Sequence, residues 1–349
     1  MNPLLGIFFH AIGGFSSASL YVPSYKVKGW AWETFWILLG LTAWIVMPQV
    51  GCWLTTPDHW AILSACPART LFWVYFFGVL WGFGGFACGL GLRYLGMSLG
   101  QTLELGFCAA FGTIIPPIFA GTARTLFTTT SGLTVLVGIG VCLLGIAVCG
   151  YAGLLKEWSL TDEQKKQGVS QKEFSFWKGL ALAVIGGVMS SCMAFAFDAG
   201  KPIAEAAVAA GTQDVFKNMP VLVVALAGGF TTNIVIVLIL HTRNKSFHDY
   251  VTGPGSRLLN NYFFCGLAGV LWYGQFFFYG MGTTKMGKYD FASWSLHMSF
   301  IIIGSNLWGI ALKEWRLVQG RIRGILWLGI AILIGSTILI GWGNHLAGK

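Results

Sequence analysis

Apolar residues in this chain come in long blocks, with polar residues confined to the joins between them. Ten blocks reach or approach the roughly 20 apolar residues that carry a helix across a bilayer. They are Pro3–Val22, Thr34–Leu54, Leu71–Leu92, Leu95–Gly121, Gly132–Leu155, Gly179–Phe197, Val221–Leu240, Tyr262–Met281, Ser293–Leu312 and Gly324–Trp342. In lipid a backbone N–H or C=O has no water to bond, so each block is expected to be helical. The blocks are too long and too unbroken for barrel strands, which run to about 10 residues with alternating polarity. The pattern predicts an all-α integral membrane protein with ten transmembrane helices. The joins leave no room for a folded soluble domain. The longest, residues 156–178, is the one mixed-charge segment of any length, and it reads as a hydrophilic linker.

The blocks are related in pairs. Gly78-Val79-Leu80-Trp81 recurs as Gly269-Val270-Leu271-Trp272. In the same register Phe86, Gly89, Gly91 and Gly96 match Phe277, Gly280, Gly282 and Gly287. Ile12-Gly13-Gly14 recurs more weakly as Ile185-Gly186-Gly187, with Gly6, Ser17 and Lys28 matching Gly179, Ser190 and Lys201. Span 1 thus resembles span 6, and span 3 resembles span 8. The expected organisation is a first five-helix repeat over 1–155 and a second over 179–349. Five is odd, so the second copy enters the membrane from the opposite side. Such inverted repeats are a common plan of secondary transporters.

Composition narrows the function. Of 349 residues, 55% are apolar and only 10% charged, against about 25% in soluble domains, and mean hydropathy is +0.69. These values exclude a soluble enzyme and a disordered chain. The net charge of +9 includes no basic block to dock on phosphate, which argues against nucleic acid as a partner. The eight cysteines show no metal spacing and read as small buried hydrophobes. No cofactor, metal or oligomer is implied. The first block lacks a basic leader and a small-residue cleavage site, so it reads as a signal anchor. Fifteen of the 22 Lys and Arg fall in loops after odd-numbered spans. That side is expected to be cytoplasmic, with both termini outside.

Ionisable groups inside spans are the candidate machinery, because a charge at mid-bilayer costs about 2.5–3.5 kcal/mol on insertion scales. His10, Glu104, Asp290 and His297 qualify, and all four are candidates for proton coupling. Glu104 ranks first, since no cation lies within a helical turn of it in sequence. Asp290, with Lys288 nearby, ranks second and His297 third. Each also has a structural reading: a histidine can bond between helices, and Asp290 can cap a helix start. Asp290, Ser293, Trp294 and His297 follow i, i+3, i+4, i+7 spacing and so share a helix side. Carboxylate, hydroxyl and imidazole beside an indole suit a sugar, whose hydroxyls need donors and acceptors. Span 8 adds Trp272, Gln275 and Tyr279. Gln275, Trp294 and His297 are expected to line one cavity. Most of the 16 tryptophans read as an interfacial belt. The repeat does not place Glu104 and His297 on equivalent faces.

Lys288 to Phe300, reading KYDFASWSLHMSF, resembles a segment of the bacterial L-rhamnose–proton symporters. Leu271 to Tyr279, Arg93 to Ser98, Trp32-Glu33-Thr34, Lys201-Pro202 and Leu312-Lys313-Glu314-Trp315 are similar to it as well. The resemblance spans nearly the whole chain. It implies the drug/metabolite transporter fold, a multi-pass protein of the bacterial inner membrane, and uptake of L-rhamnose with a proton. The alternatives are a metabolite exporter of the same superfamily, since fold does not set substrate or direction, a sensor or channel, and a membrane enzyme. The last would need a catalytic constellation near the interface, and none is evident.

Overall fold

The computed structural model describes residues 2–95, 97–119, 121, 123–159, 175–287, 292–313, 315–316 and 318–347. These are helical, and no strand occurs among the described residues. The main helices are α1 (Pro3–Ser19), α2 (Trp32–Thr55), α3 (His59–Ala65), α4 (Ala68–Leu95), α5 (Met97–Phe119), α6 (Ala123–Thr128) and α7 (Thr130–Ser159). They continue with α8 (Phe176–Ser190), α9 (Cys192–Ala199), α10 (Lys201–Ala209), α11 (Met219–Asn244), α12 (Gly255–Met286), α13 (Ala292–Ala311) and α14 (Gly320–Ala347).

Seven segments of the described residues are long and apolar enough to cross a membrane: Pro3–Lys26, Trp32–Thr55, Ala68–Ala87, Thr130–Lys156, Trp177–Ala199, Asp214–Asn244 and Gly320–Ala347. The remaining expected spans fall on α5, α12 and α13, which are helical but carry more polar side chains. The short helices α3, α6 and α10 stand where the apolar pattern predicts plain connections. Of the expected linker, residues 160–174 lie outside the described residues.

Two interruptions have local causes. In α2 the stretch Leu41–Val46 is π-helical, ahead of Pro48. Proline brings no N–H to bond the carbonyl four residues back, so the turn before it rewinds. Span 6 is divided into α8 and α9 at Ser191, whose hydroxyl bonds back to the Val188 carbonyl at 2.6 Å.

Backbone contacts divide the chain into two compact units. Unit one comprises Met1–Phe15, Gly84–Ala194 and Gly282–Lys349; unit two comprises Ser16–Phe83 and Phe195–Met281. Each draws on both halves of the sequence.

In both units, glycines set the helix contacts. Within unit one, Gly14 of α1 lies against Phe300 and Ile301 of α13. Gly187 of α8 lies against Phe107 and Cys108 of α5 in the same way. Gly282 of α12 faces His10 of α1, and Gly91 of α4 faces Leu182 and Ala183 of α8. Helices α7 and α14 run antiparallel, since Gly138 meets Ile340, Gly145 meets Leu333 and Cys149 meets Gly329. Within unit two, Gly78 of α4 packs on the Ala225 carbonyl of α11, while Gly269 of α12 packs on the Leu39 carbonyl and Thr42 of α2. At these glycines an added side-chain carbon would strike the facing helix; Gly91 alone has ordinary contact distances.

Replacing Gly187 by Val is therefore expected to part α8 from α5 and destabilise the detergent-purified protein by about 1–3 kcal/mol, the range for overpacking. Gly140 of α7 has open space around it. Gly140→Ala should leave the thermal melt unchanged, and equal melts for the two variants would show that glycine contact is not what holds unit one.

Candidate functional site

Among the described residues, the ionisable candidates His10, Glu104 and His297 all lie in unit one. His10 lies on α1 in line with Gly6 and Gly14, one helical turn apart on each side, and all three are buried. The glycines let α1 approach the end of α12 and the face of α13. His10 meets His297 of α13 there, with ring centroids 5.9 Å apart and the planes edge to face at 69°. Gly282 closes the other side of the His10 ring, where a side-chain carbon would sit 2.6 Å from Cε1 and 2.7 Å from Nε2. Both imidazoles are buried, at 0% and 2% exposure. Nothing in the sequence paired these two histidines.

Glu104 lies on α5 with Cys108 and Gly112 following at one-turn intervals, all buried. This stripe receives Trp294 of α13. The indole N–H donates to the Cys108 carbonyl at 3.0 Å, and the ring lies flush against Gly112. The N–H of Trp294 is thus engaged by the fold. The same contact sets the helix of Glu104 beside the helix of His297, which sequence symmetry did not indicate. Below it, the Cys142 thiol and Ser299 hydroxyl are 3.1 Å apart, and Ser299 donates to the Ser295 carbonyl at 2.8 Å.

The first two turns of α13 are buried on every side, from Ala292 to Ser299. The polar face expected there is enclosed by neighbouring helices. Ser293 is fully buried, and its hydroxyl has no partner among the described residues. Asp290 lies outside the described residues.

Unit two holds Trp272, Gln275 and Tyr279, all on α12. Their spacing of three and four residues puts them on one stripe. Gln275 is buried, at 6% exposure. Tyr279 packs against Phe197 with ring centroids 5.3 Å apart. Trp272 joins a group of indoles that the belt reading missed. Its ring centre is 4.8 Å from Trp44, 5.3 Å from Trp36 and 6.3 Å from Trp81. Trp36 donates to Asn233 Oδ1 at 2.9 Å, and Asn233 bonds the Gly229 carbonyl at 2.8 Å. The Trp44 N–H is buried without a partner among the described residues. One signal in the sequence did point here: Trp81 and Trp272 are the matched tryptophans of the repeated GVLW segments.

A second polar network in unit two also escaped the sequence reading. Helix α11 ends at Lys245 in a left-handed conformation, φ 54°. The short turn Ser246–Tyr250 follows at once. There Glu33 accepts from Ser246 Oγ at 2.6 Å and Asn244 Nδ2 at 2.9 Å. Asp249 accepts from the Ala31 N–H at 2.7 Å and Thr34 Oγ1 at 2.8 Å, so it caps the start of α2 from a distant part of the chain. His241 bridges Ser246 Oγ at 2.7 Å and Tyr250 OH at 2.8 Å. Burial pushes the Tyr250 phenol up to about 12, so it stays protonated at neutral pH.

The chain matches the family model of the L-rhamnose-proton symport protein (RhaT) over residues 2–345. A protein named L-rhamnose-proton symporter from Yersinia pestis (strain Pestoides F) is 37% identical over 343 residues, covering 97% of this chain and 98% of its own length. One from Yersinia pseudotuberculosis serotype O:3 (strain YPIII) matches to the same extent. A third of that name, from Citrobacter koseri, is 37% identical over 342 residues, covering 97% of each chain.

The Asp249 contacts carry their own prediction. Asp249→Ala strips the cap from α2 and leaves buried donors unpaired, which costs about 1–3 kcal/mol. The melting temperature of the purified protein should fall accordingly. Asp249→Asn, which keeps an acceptor oxygen, should recover part of the loss, and a melt unchanged by either variant would show that the network is not holding α2.

Proposed function

The chain belongs to the L-rhamnose-proton symport protein family, and on that premise we propose that it imports L-rhamnose with a proton by alternating access. The observation that carries this reading is the near-complete match, which covers residues 2–345. The family transports its substrate without covalent chemistry, so the protein is not an enzyme. It is a multi-pass membrane protein, and we place it in the bacterial inner membrane with ten spans.

We read those spans as two inverted five-helix repeats. Exchanged helix contacts support this. Gly14 and Gly187 are matched positions, and they sit on spans 9 and 4 respectively. Gly282 on His10 corresponds to Gly91 on Ala183, and Gly78 on span 7 corresponds to Gly269 on span 2. A two-fold relation between repeats requires such exchanges. It also brings matched residues near the axis together, as with Trp81 and Trp272.

For the sugar, we propose Trp272, Gln275, Tyr279, Ser293, Trp294 and His297 as contact residues, the polar and aromatic side chains that the pattern of spans 8 and 9 singles out. The buried amide of Gln275 and the buried hydroxyl of Ser293, the latter without a protein partner among the described residues, are suited to sugar hydroxyls. Indole faces cover the C–H face of a sugar ring, and Trp272 is only partly buried. Gln275→Leu removes one such bond and leaves a hydroxyl unpaired, at a cost of about 1–3 kcal/mol. Rhamnose affinity should fall roughly 5- to 150-fold in a correctly folded variant. Unchanged affinity would remove Gln275 from the site.

For the proton, Glu104 ranks first, with Asp290, His297 and His10 following. An ionised carboxylate within a span is costly, and protonation removes that cost. Symport requires that sugar and proton each raise the affinity for the other, since binding linkage is reciprocal. Glu104→Gln mimics the protonated form permanently. In proteoliposomes it should still exchange labelled rhamnose across the membrane but lose accumulation driven by a pH gradient. Accumulation equal to the parent's would make Glu104 structural and shift the role to Asp290.

A further inference from the structure

The segment between α13 and α14 contains the Leu312-Lys313-Glu314-Trp315 motif, which neither sugar nor proton transfer employs. It forms a pocket of about 460 Å³ inside unit one, where Lys313, Arg316 and Arg323 converge around Trp315 and Trp327. The backbone there is tightly wound. Lys313 adopts a left-handed conformation at φ 63°, and the N–H groups of Lys313 and Arg316 bond the carbonyls three residues back at 3.0 and 3.1 Å. Trp315 is buried at 3% exposure, and the Lys156 ammonium lies 4.8 Å over its ring. The side chains of Lys313, Arg316 and Arg323 make no hydrogen bond or ion pair among the described residues. Glu314, the acid of this stretch, lies outside them. Three cations around one cavity, with no acidic partner among the described residues, repel one another, so an anion in the cavity would relieve that repulsion.

A lipid fits the surroundings better than a soluble anion. Trp327 and Leu328 are exposed on the second turn of α14, and Ile334 and Ile338 continue the same helix surface at 47% and 65% exposure. Because α14 is a membrane-spanning candidate, that surface faces acyl chains. The arrangement puts cations at the membrane–water boundary, an indole beside them, and an apolar track leading inward.

We propose that this pocket binds the phosphodiester headgroup of an anionic phospholipid, with an acyl chain lying along α14. Its chemistry is that of basic pockets between transmembrane helices that hold anionic headgroups. The inference does not depend on which sugar is carried.

Native mass spectrometry of the purified full chain tests it, with phosphatidylglycerol and phosphatidylcholine titrated in separate arms. The wild-type protein should retain phosphatidylglycerol and release phosphatidylcholine. Arg316→Gln/Arg323→Gln should weaken phosphatidylglycerol retention roughly 30-fold. Arg316→Lys/Arg323→Lys, which keeps the charges, should retain it. Arg321→Gln removes an equally exposed charge outside the pocket and should have little effect. Retention that is equal in wild type and the double Gln variant would overturn the proposal, as would an equal loss in Arg321→Gln. A third arm raises inorganic phosphate in lipid-free detergent. If phosphate stabilises the protein against heat and phosphatidylglycerol is not retained, the ligand is a soluble phosphate and the lipid assignment falls. If the double Gln variant elutes as aggregate, Arg323→Gln alone should give a partial loss in a monodisperse protein.

Discussion

Helices in lipid gain little by hiding apolar surface from one another, because acyl chains are as apolar as leucine. What holds them together is close contact of backbones, and in this chain glycine makes that contact possible. Gly14 against Phe300, Gly187 against Phe107 and Gly78 against Ala225 are approaches that a single added carbon would prevent. At those distances dispersion acts along whole helix turns. The positions of the functional side chains follow from the same contacts. His10 reaches His297 because Gly6, Gly14 and Gly282 let α1, α12 and α13 close up around it. Trp294 reaches the Cys108 carbonyl because Gly112 leaves room for its ring.

Buried polar groups are the counterpart of that packing. A protein in lipid has no reason to bury an amide, hydroxyl or imidazole unless the group fixes helices or meets a ligand. The structure shows the first kind plainly. Asn233 bonds Trp36 and the Gly229 carbonyl, and Asp249 and Glu33 tie the start of α2 to the end of α11. Such groups are saturated by protein. The Ser293 hydroxyl and the N–H of Trp44 are buried and lack protein partners among the described residues.

Charge is handled by position. Cations concentrate where helices end, as around the Trp315 pocket, so they stay near water while the spans remain nearly free of them. The ionisable residues that do lie within spans are few, and His10, Glu104 and His297 all fall in one unit.

The helical character of the chain and the approximate positions of seven apolar segments long enough to cross a membrane were legible in the order of residues alone. Bilayer thickness and the need to satisfy backbone polar groups impose both on any block of about 20 apolar residues. The paired GVLW and IGG segments marked positions that later proved to be helix contacts. The short helices α3, α6 and α10 left no such trace, because a few amphipathic turns make no long apolar block. The indole cluster was hidden for a different reason. Tryptophan serves both the membrane interface and the interior, and composition does not tell Trp44, buried at 1% exposure, from Trp53, exposed at 77%. The contact between His10 and His297, and that between the stripe of Glu104 and Trp294, were decided only by tertiary structure. Periodicity reports which side of a helix a residue occupies, whereas its neighbour across the gap depends on where the glycines allow two helices to touch.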